Sequence, residues 1–189
     1  VKLVLDDMAA VGVVYAEIRF APQLHTAKGL TQEEVIIAAI DGLNDYLLNK
    51  SDMKANLILC CMRGSDNENA NIETVKLAGR YLYKGVVGLD LAGAEALYPT
   101  SDYTRLFEQA AGLGIPYTIH AGEAAGADSV YTAIDMGAVR IGHGIRAVTD
   151  DKLVKLIRDK GICLEMCPTS NRITNAVDDM SQYPLREYI

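Results

Sequence analysis

The feature that most constrains this chain is a repeated switch between two periodicities. Short apolar runs, each suited to a buried strand, alternate with stretches of helical spacing, and glycines mark the joins. The runs are Val13 to Phe20, Asn56 to Met62, Val86 to Asp90, Ile115 to His120, Val139 to Gly142 and Ile162 to Met166. Between the first two, Thr31-Gln-Glu-Glu34 forms a capping box, and Ile36, Ile40, Leu43 and Leu47 follow along one helical stripe. Further helices are predicted from Ile72, Val75, Gly79 and Leu82, from Leu106, Phe107, Ala110 and Leu113, over 129–136, and over 150–160 with Gly161 as a stop. Such alternation implies a parallel sheet covered by helices, either open and doubly wound or closed into a barrel. Polar residues end many consecutive runs, and no Gly-x-Gly-x-x-Gly follows the first; both features favour the barrel.

The expected fold class is therefore α/β, a parallel (β/α)8 TIM-type barrel truncated to about six strands. A complete barrel takes eight strands and about 250 residues, against six runs in 189 residues. Residues 1–10 read as a helix with no strand before it, and Tyr183-Pro184 reads as a helix start without continuation. Residues 1–189 are expected to form one incomplete barrel domain, with the first and last strands missing.

A net charge of −7 argues against a nucleic-acid partner, because such binding depends on Lys and Arg neutralising phosphates. No apolar run reaches the roughly 18 residues of a membrane span, and no basic leader precedes a short apolar stretch. A cytoplasmic protein with a small-molecule ligand, and with no membrane partner, is the expectation. Cys60, Cys61, Cys163 and Cys167 form no C-x-x-C pair and read as reduced core thiols.

Several strand ends carry chemistry. His120 followed by Glu123 suits a metal ligand beside a proton carrier, and equally a backbone-bonded histidine beside an exposed loop glutamate. His143, between Gly142 and Gly144, can face a ligand closely or sit in a turn. Asp90-Leu-Ala-Gly93 can offer the Gly93 N–H to a ligand or be a plain glycine turn. Glu17 and Arg19 share a strand face and read as a structural ion pair inside the barrel, and His25 reads as exposed. Cys167-Pro-Thr-Ser-Asn171 closes a strand with residues that can cap a helix or line a pocket.

Taken together, Tyr15-Ala-Glu-Ile-Arg-Phe20, Gly88-Leu-Asp-Leu-Ala-Gly93, His120-Ala-Gly-Glu123, Arg140-Ile-Gly-His-Gly144 and Cys167-Pro-Thr-Ser-Asn171 resemble successive signatures of the adenosine deaminase family, in order and across essentially the whole chain. The resemblance implies a zinc-dependent barrel of the amidohydrolase type that converts adenosine or deoxyadenosine to inosine or deoxyinosine and ammonia. It implies His120 as a zinc ligand, Glu123 as proton donor to purine N1, and His143 as the residue that orients the attacking water and helps deprotonate it. Gly93, as a backbone donor to purine N3, and Asp90 are implied on the substrate. AMP or adenine deamination, or a non-catalytic interaction module derived from a deaminase, are the alternatives. Ala94 departs from a family position that is often polar. The family's His-x-His and paired-aspartate zinc ligands have no counterpart here, so the 189 residues alone are expected to lack turnover. Exposed sheet edges are expected to drive self-association.

Overall fold

Strands buried on both faces can satisfy their backbone groups only through neighbouring strands, and β2 (Lys54–Met62) meets this condition most fully. Leu57, Ile58, Leu59 and Cys61 are completely buried within it. The computed structural model describes residues 1–49 and 52–189. Around β2 the elements run α1 (Lys2–Ala10), β1 (Tyr15–Phe20), α2 (Gln32–Asn49), β2, α3 (Glu68–Tyr81), β3 (Val86–Ala92), α4 (Thr104–Gly112), β4 (Thr118–Ala121), α5 (Ala127–Asp135), β5 (Arg140–His143), α6 (Asp151–Lys160), β6 (Cys163–Glu165) and α7 (Pro168–Ile173).

All strand pairs are parallel and sequential: β1 with β2, β2 with β3, β4 with β5, and β5 with β6. The two three-stranded groups are joined where the Leu89 N–H donates to Pro116 O at 3.0 Å and Leu89 bridges to Tyr117. Among the described residues six parallel strands thus follow one another in chain order, each reached through a helix, which is the plan of a (β/α) barrel. Sequence periodicity located all six; boundaries moved by a few residues, as with β4, which begins at Thr118 rather than Ile115.

Alternation sorts the side chains. Leu57, Leu59, Cys61, Leu89, Leu91, Ile119, Ala121 and Ile141 face the helices and share one apolar cluster with Ile36, Ile40 and Leu43 of α2 and Phe107 of α4. Phe107 is fully buried and tilts against Tyr117, with ring centroids 4.9 Å apart. The α2 capping box forms as the sequence predicts: Glu34 Oε2 accepts from the Thr31 N–H at 2.8 Å, and Thr31 Oγ1 accepts from the Glu34 N–H at 3.2 Å. Asp150 caps α6 through the Lys152 and Leu153 amides, and Gly161 ends that helix at a φ of 65°.

On the opposite face the charged residues interlock. Arg140 reaches Glu17 Oε2 at 2.6 Å and Glu165 Oε1 at 3.0 Å, while Arg19 reaches Glu165 Oε2 at 2.6 Å and Asp90 Oδ2 at 3.0 Å. Glu17 and Arg19 are therefore partnered across the interior, to β5, β6 and β3, and not with each other as predicted. Side chains i and i+2 share a face, but their bases stand too far apart to compete with residues arriving from facing strands. Glu165 ties β6 to β1 at the side where, among the described residues, neither strand has a pairing neighbour.

Two other expectations change. Cys60 and Cys61 are buried, but Cys163 and Cys167 are exposed, because β6 has a strand neighbour on one side only. Pro184 to Glu187 forms turns and no helix; the tail folds back instead, and the Tyr188 hydroxyl donates to Gly144 O at 3.1 Å. Among the described residues no helix is long and apolar enough to cross a membrane.

Candidate active site

His120 stands in β4 opposite Gly142 of β5. A Cβ on Gly142 would lie 3.0 Å from His120 Nδ1 and 3.1 Å from its Cγ, so the missing side chain is what lets the imidazole lie against the neighbouring strand. The ring is oriented by Asp90, whose Oδ1 is 2.9 Å from Nδ1. Asp90 is completely buried and its other oxygen accepts from Arg19. With Nδ1–H given to the carboxylate, His120 keeps its Nε2 lone pair, the arrangement that prepares an imidazole to ligate a metal. Burial works to lower the His120 pKa, yet the hydrogen bond and charge of Asp90 outweigh it and leave the pKa raised. Burial pushes Asp90 up, and His120 with Arg19 hold it below the usual carboxylate range.

His143 ends β5 with a φ of 63°, a left-handed conformation that costs a non-glycine residue roughly 1–3 kcal/mol. Strict alternation would put it on the helix-facing side with Ile141. The left-handed turn breaks the pleat, and the ring instead meets His120 edge-on, with centroids 5.0 Å apart. Asn171 Nδ2 lies 2.8 Å from His143 Nδ1 and 3.4 Å from Glu123 Oε1, and Oδ1 lies 3.1 Å from the Tyr183 hydroxyl; the amide is assigned this way round because its oxygen would otherwise face the Glu123 carboxylate. His143 Nδ1 is then an acceptor, and the ring proton sits on Nε2, 3.4 Å from Glu123 Oε2. Burial lowers the His143 pKa below the ordinary imidazole range despite the nearby Glu123 charge, so the ring is neutral at neutral pH.

Glu123 is held from both ends. Its Oε1 accepts from Thr174 Oγ1 at 3.0 Å and faces Asn171 Nδ2 at 3.4 Å, both at the α7 end of the mouth. Its own N–H donates to Glu95 Oε2 at 3.0 Å, and its carbonyl accepts from Arg146 Nε at 2.9 Å. Burial raises the Glu95 pKa, but hydrogen bonds from Ala125, Ser129, Ala124 and Gly122 outweigh this and leave it below the ordinary carboxylate value of 4.5. A depressed folded pKa contributes stability above the unfolded value, and that stability is lost as pH falls through the folded value. Acidification from pH 7 to about 3 should therefore lower the melting temperature of the wild type more than that of Glu95→Gln; equal losses would show that Glu95 contributes nothing to acid sensitivity.

His120, Glu123 and His143 thus meet at one mouth, from the ends of β4 and β5, with Asp90 of β3 behind the His120 ring. Gly93 follows β3 at a φ of 110°, where a Cβ would meet Arg63 Cβ at 3.2 Å; Arg63 in turn donates to His120 O at 2.6 Å. The Asp90 carboxylate bonds His120 and Arg19, which places it behind the His120 ring. His25 is exposed, with its ring edge on Phe20. Glu95 and Arg63 escaped the sequence reading. The available signals were an acid two residues beyond a strand-end glycine, and an arginine directly after the apolar run of β2.

Parallel strands that bring an acid and two imidazoles to one mouth place this chain in the class of (β/α) barrels, whose sites lie at the C-terminal ends of the strands. A family model for adenosine deaminase matches residues 3–189, and the chain belongs to the adenosine deaminase family. An adenosine deaminase of Haemophilus ducreyi is 54% identical over 181 residues, which is 94% of this chain and 53% of that protein. The adenine deaminase of Arthrobacter aurescens superposes with a TM-score of 0.87 at 30% identity, covering 99% of this chain and 57% of the other. An amidohydrolase from Burkholderia ambifaria with bound Zn superposes at 0.88 with 24% identity over 97% of this chain and 52% of its own, and shows the shared fold alone. The chain spans about half the length of the curated relatives it matches.

The family implies a metal, and the residues here fit one position of its site. His120 has its Nδ1 taken by Asp90, which leaves Nε2 as its metal-binding atom, but no group of three or more His, Cys, Asp or Glu among the described residues is placed to hold a metal ion. A catalytic zinc usually takes three protein ligands, and His120 is the one candidate the mouth offers among the described residues.

Proposed function

We propose that the full-length protein carrying this chain hydrolyses adenosine or deoxyadenosine with zinc as cofactor, exchanging the 6-amino group for a hydroxyl from water and releasing ammonia. The single observation that carries this reading is the Asp90–His120 pair, set beside Glu123 and His143 and oriented so that Nε2 is left for a metal. Zinc, when bound, supplies the Lewis acidity that makes water nucleophilic near neutral pH. His120 would hold it. Glu123 is assigned the proton at purine N1, which makes C6 electrophilic, and the Gly93 N–H is assigned to purine N3. His143 is assigned the orientation of the attacking water as an N–H donor. With the Asn171 amide assigned as above, Nε2–H is the group that His143 presents to the mouth.

Adenosine is preferred to adenine or AMP because the relative at 54% identity is an adenosine deaminase, while the adenine deaminase is more distant at 30%. A cytoplasmic setting accords with four free cysteines. The test is the full-length, zinc-loaded protein offered adenosine, adenine and AMP side by side, with ammonia and the 6-oxo product both measured. Consumption of adenine or AMP with adenosine untouched would overturn the assignment. The 189-residue chain alone should show no turnover.

That isolated chain should also self-associate, since β1 and β6 each pair on one side only among the described residues. Sedimentation velocity should show dimers or larger species; a strictly monomeric, cooperatively melting chain would count against edge pairing.

A further inference from the structure

Glu95 has no part in the chemistry above, yet its surroundings single it out. It lies two residues beyond Gly93 in the loop after β3, and it is 5% exposed although charged. Its carboxylate accepts five hydrogen bonds. Oε1 takes the Gly122 N–H at 2.7 Å and the Ser129 hydroxyl at 2.5 Å; Oε2 takes the N–H groups of Glu123, Ala124 and Ala125 at 3.0, 2.8 and 3.0 Å. Four consecutive amides of the loop between β4 and α5 therefore converge on one side chain.

A second buried charge holds the start of the same segment. Arg63 donates through Nη2 to His120 O at 2.6 Å and to Thr100 Oγ1 at 3.0 Å, and through Nη1 to Tyr98 O at 2.7 Å. Thr100 Oγ1 lies 2.8 Å from Ser129 Oγ, which bonds Glu95. Each hydroxyl has one proton, so a cation at one end and a carboxylate at the other set the direction of every bond: Arg63 to Thr100, Thr100 to Ser129, Ser129 to Glu95. The His120-to-Ala125 segment is thus gripped at its first carbonyl by a buried cation and along its amides by a buried anion.

We propose that Glu95 is a positioning residue for the deamination. It holds the 122–125 amides so that the Glu123 carboxyl is delivered at a fixed distance from His120 and His143, a role that rests on the reading of Glu123 as proton carrier. Only a deprotonated carboxylate suits all five donors. A glutamine would turn an NH2 group toward either the loop amides or the Ser129 hydroxyl, leaving buried donors unpaired.

The test compares Glu95→Gln with the wild type in two measurements on the full-length protein. Amide hydrogen exchange at Gly122 to Ala125 should accelerate about tenfold or more relative to the strand core. Turnover should fall on the order of 10²-fold with KM within about threefold, since misplacing a reacting group impairs the transition state more than binding. Unchanged exchange overturns the grip, and faster exchange with retained turnover overturns the positioning role. To guard against an unfolded variant, Ser129→Ala removes one of the five bonds; its exchange increase should be smaller and confined to the same four amides, and an increase spread over all strands would overturn the proposal. If the wild-type protein deaminates no purine nucleoside, the functional reading fails, while the exchange result still decides what Glu95 holds.

Discussion

Glu123→Gln in the full-length protein should lower turnover of adenosine by roughly 10²–10⁴-fold, the usual contribution of a positioned general acid, while leaving the fold intact. The substitution removes a proton that can be given away and little else. Glutamine keeps an oxygen for Thr174 Oγ1, and the residue is anchored through its main chain, by Glu95 at its N–H and by Arg146 at its carbonyl. Zinc content should be unchanged, because the carboxylate lies beside His143 and is assigned no ligand role. Steady-state kinetics and metal analysis on one preparation decide the matter. A variant that retains more than about a tenth of wild-type turnover would remove Glu123 from the proton-carrying role.

Asp90→Asn should weaken zinc binding or activity by about 10–100-fold, the range seen when a partner behind a ligating histidine is lost. Asp90 serves His120 Nδ1 at 2.9 Å and Arg19 Nη1 at 3.0 Å, with the Cys60 thiol donating to Oδ2 at 3.7 Å, from a site with no exposure to solvent. Asparagine has one acceptor oxygen. If that oxygen faces His120, its NH2 group faces Arg19; if it faces Arg19, His120 loses the partner that keeps its proton on Nδ1. Either way the new NH2 group, at a fully buried position, faces another donor, which also costs about 1–3 kcal/mol of stability. Competition with a chelator measures the first effect and denaturant unfolding the second. Zinc affinity equal to the wild type would mean that the Asp90–His120 bond does not prepare the ligand.

Local pattern carried the architecture because local pattern is what generates it. The runs ending at Phe20, Met62, Asp90, His120, Gly142 and Met166 each coincide with a parallel strand, and the Thr31–Glu34 box and Gly161 stop mark real helix ends. Errors arose where distant segments compete for one side chain. Glu17 and Arg19 share a face of β1, yet Arg140 and Glu165, more than 120 residues away, supply their partners. Pro184 suggested a helix start, but Tyr188 docks on Gly144 and the tail turns back.

By itself the sequence determined the alternation of strands and helices, and with it the parallel order, because hydrophobic period and glycine stops act within a few residues of their own position. It also put His120, Glu123 and His143 near strand ends. Only the tertiary structure decided which way each pointed. His143 turns inward through a left-handed φ that alternation could not foresee, His120 is oriented by an aspartate from a different strand, and Glu123 is carried on a loop clamped by Glu95. Those choices depend on groups 28 to 30 residues apart meeting in a buried space, where an unpaired donor is costly enough to select one arrangement.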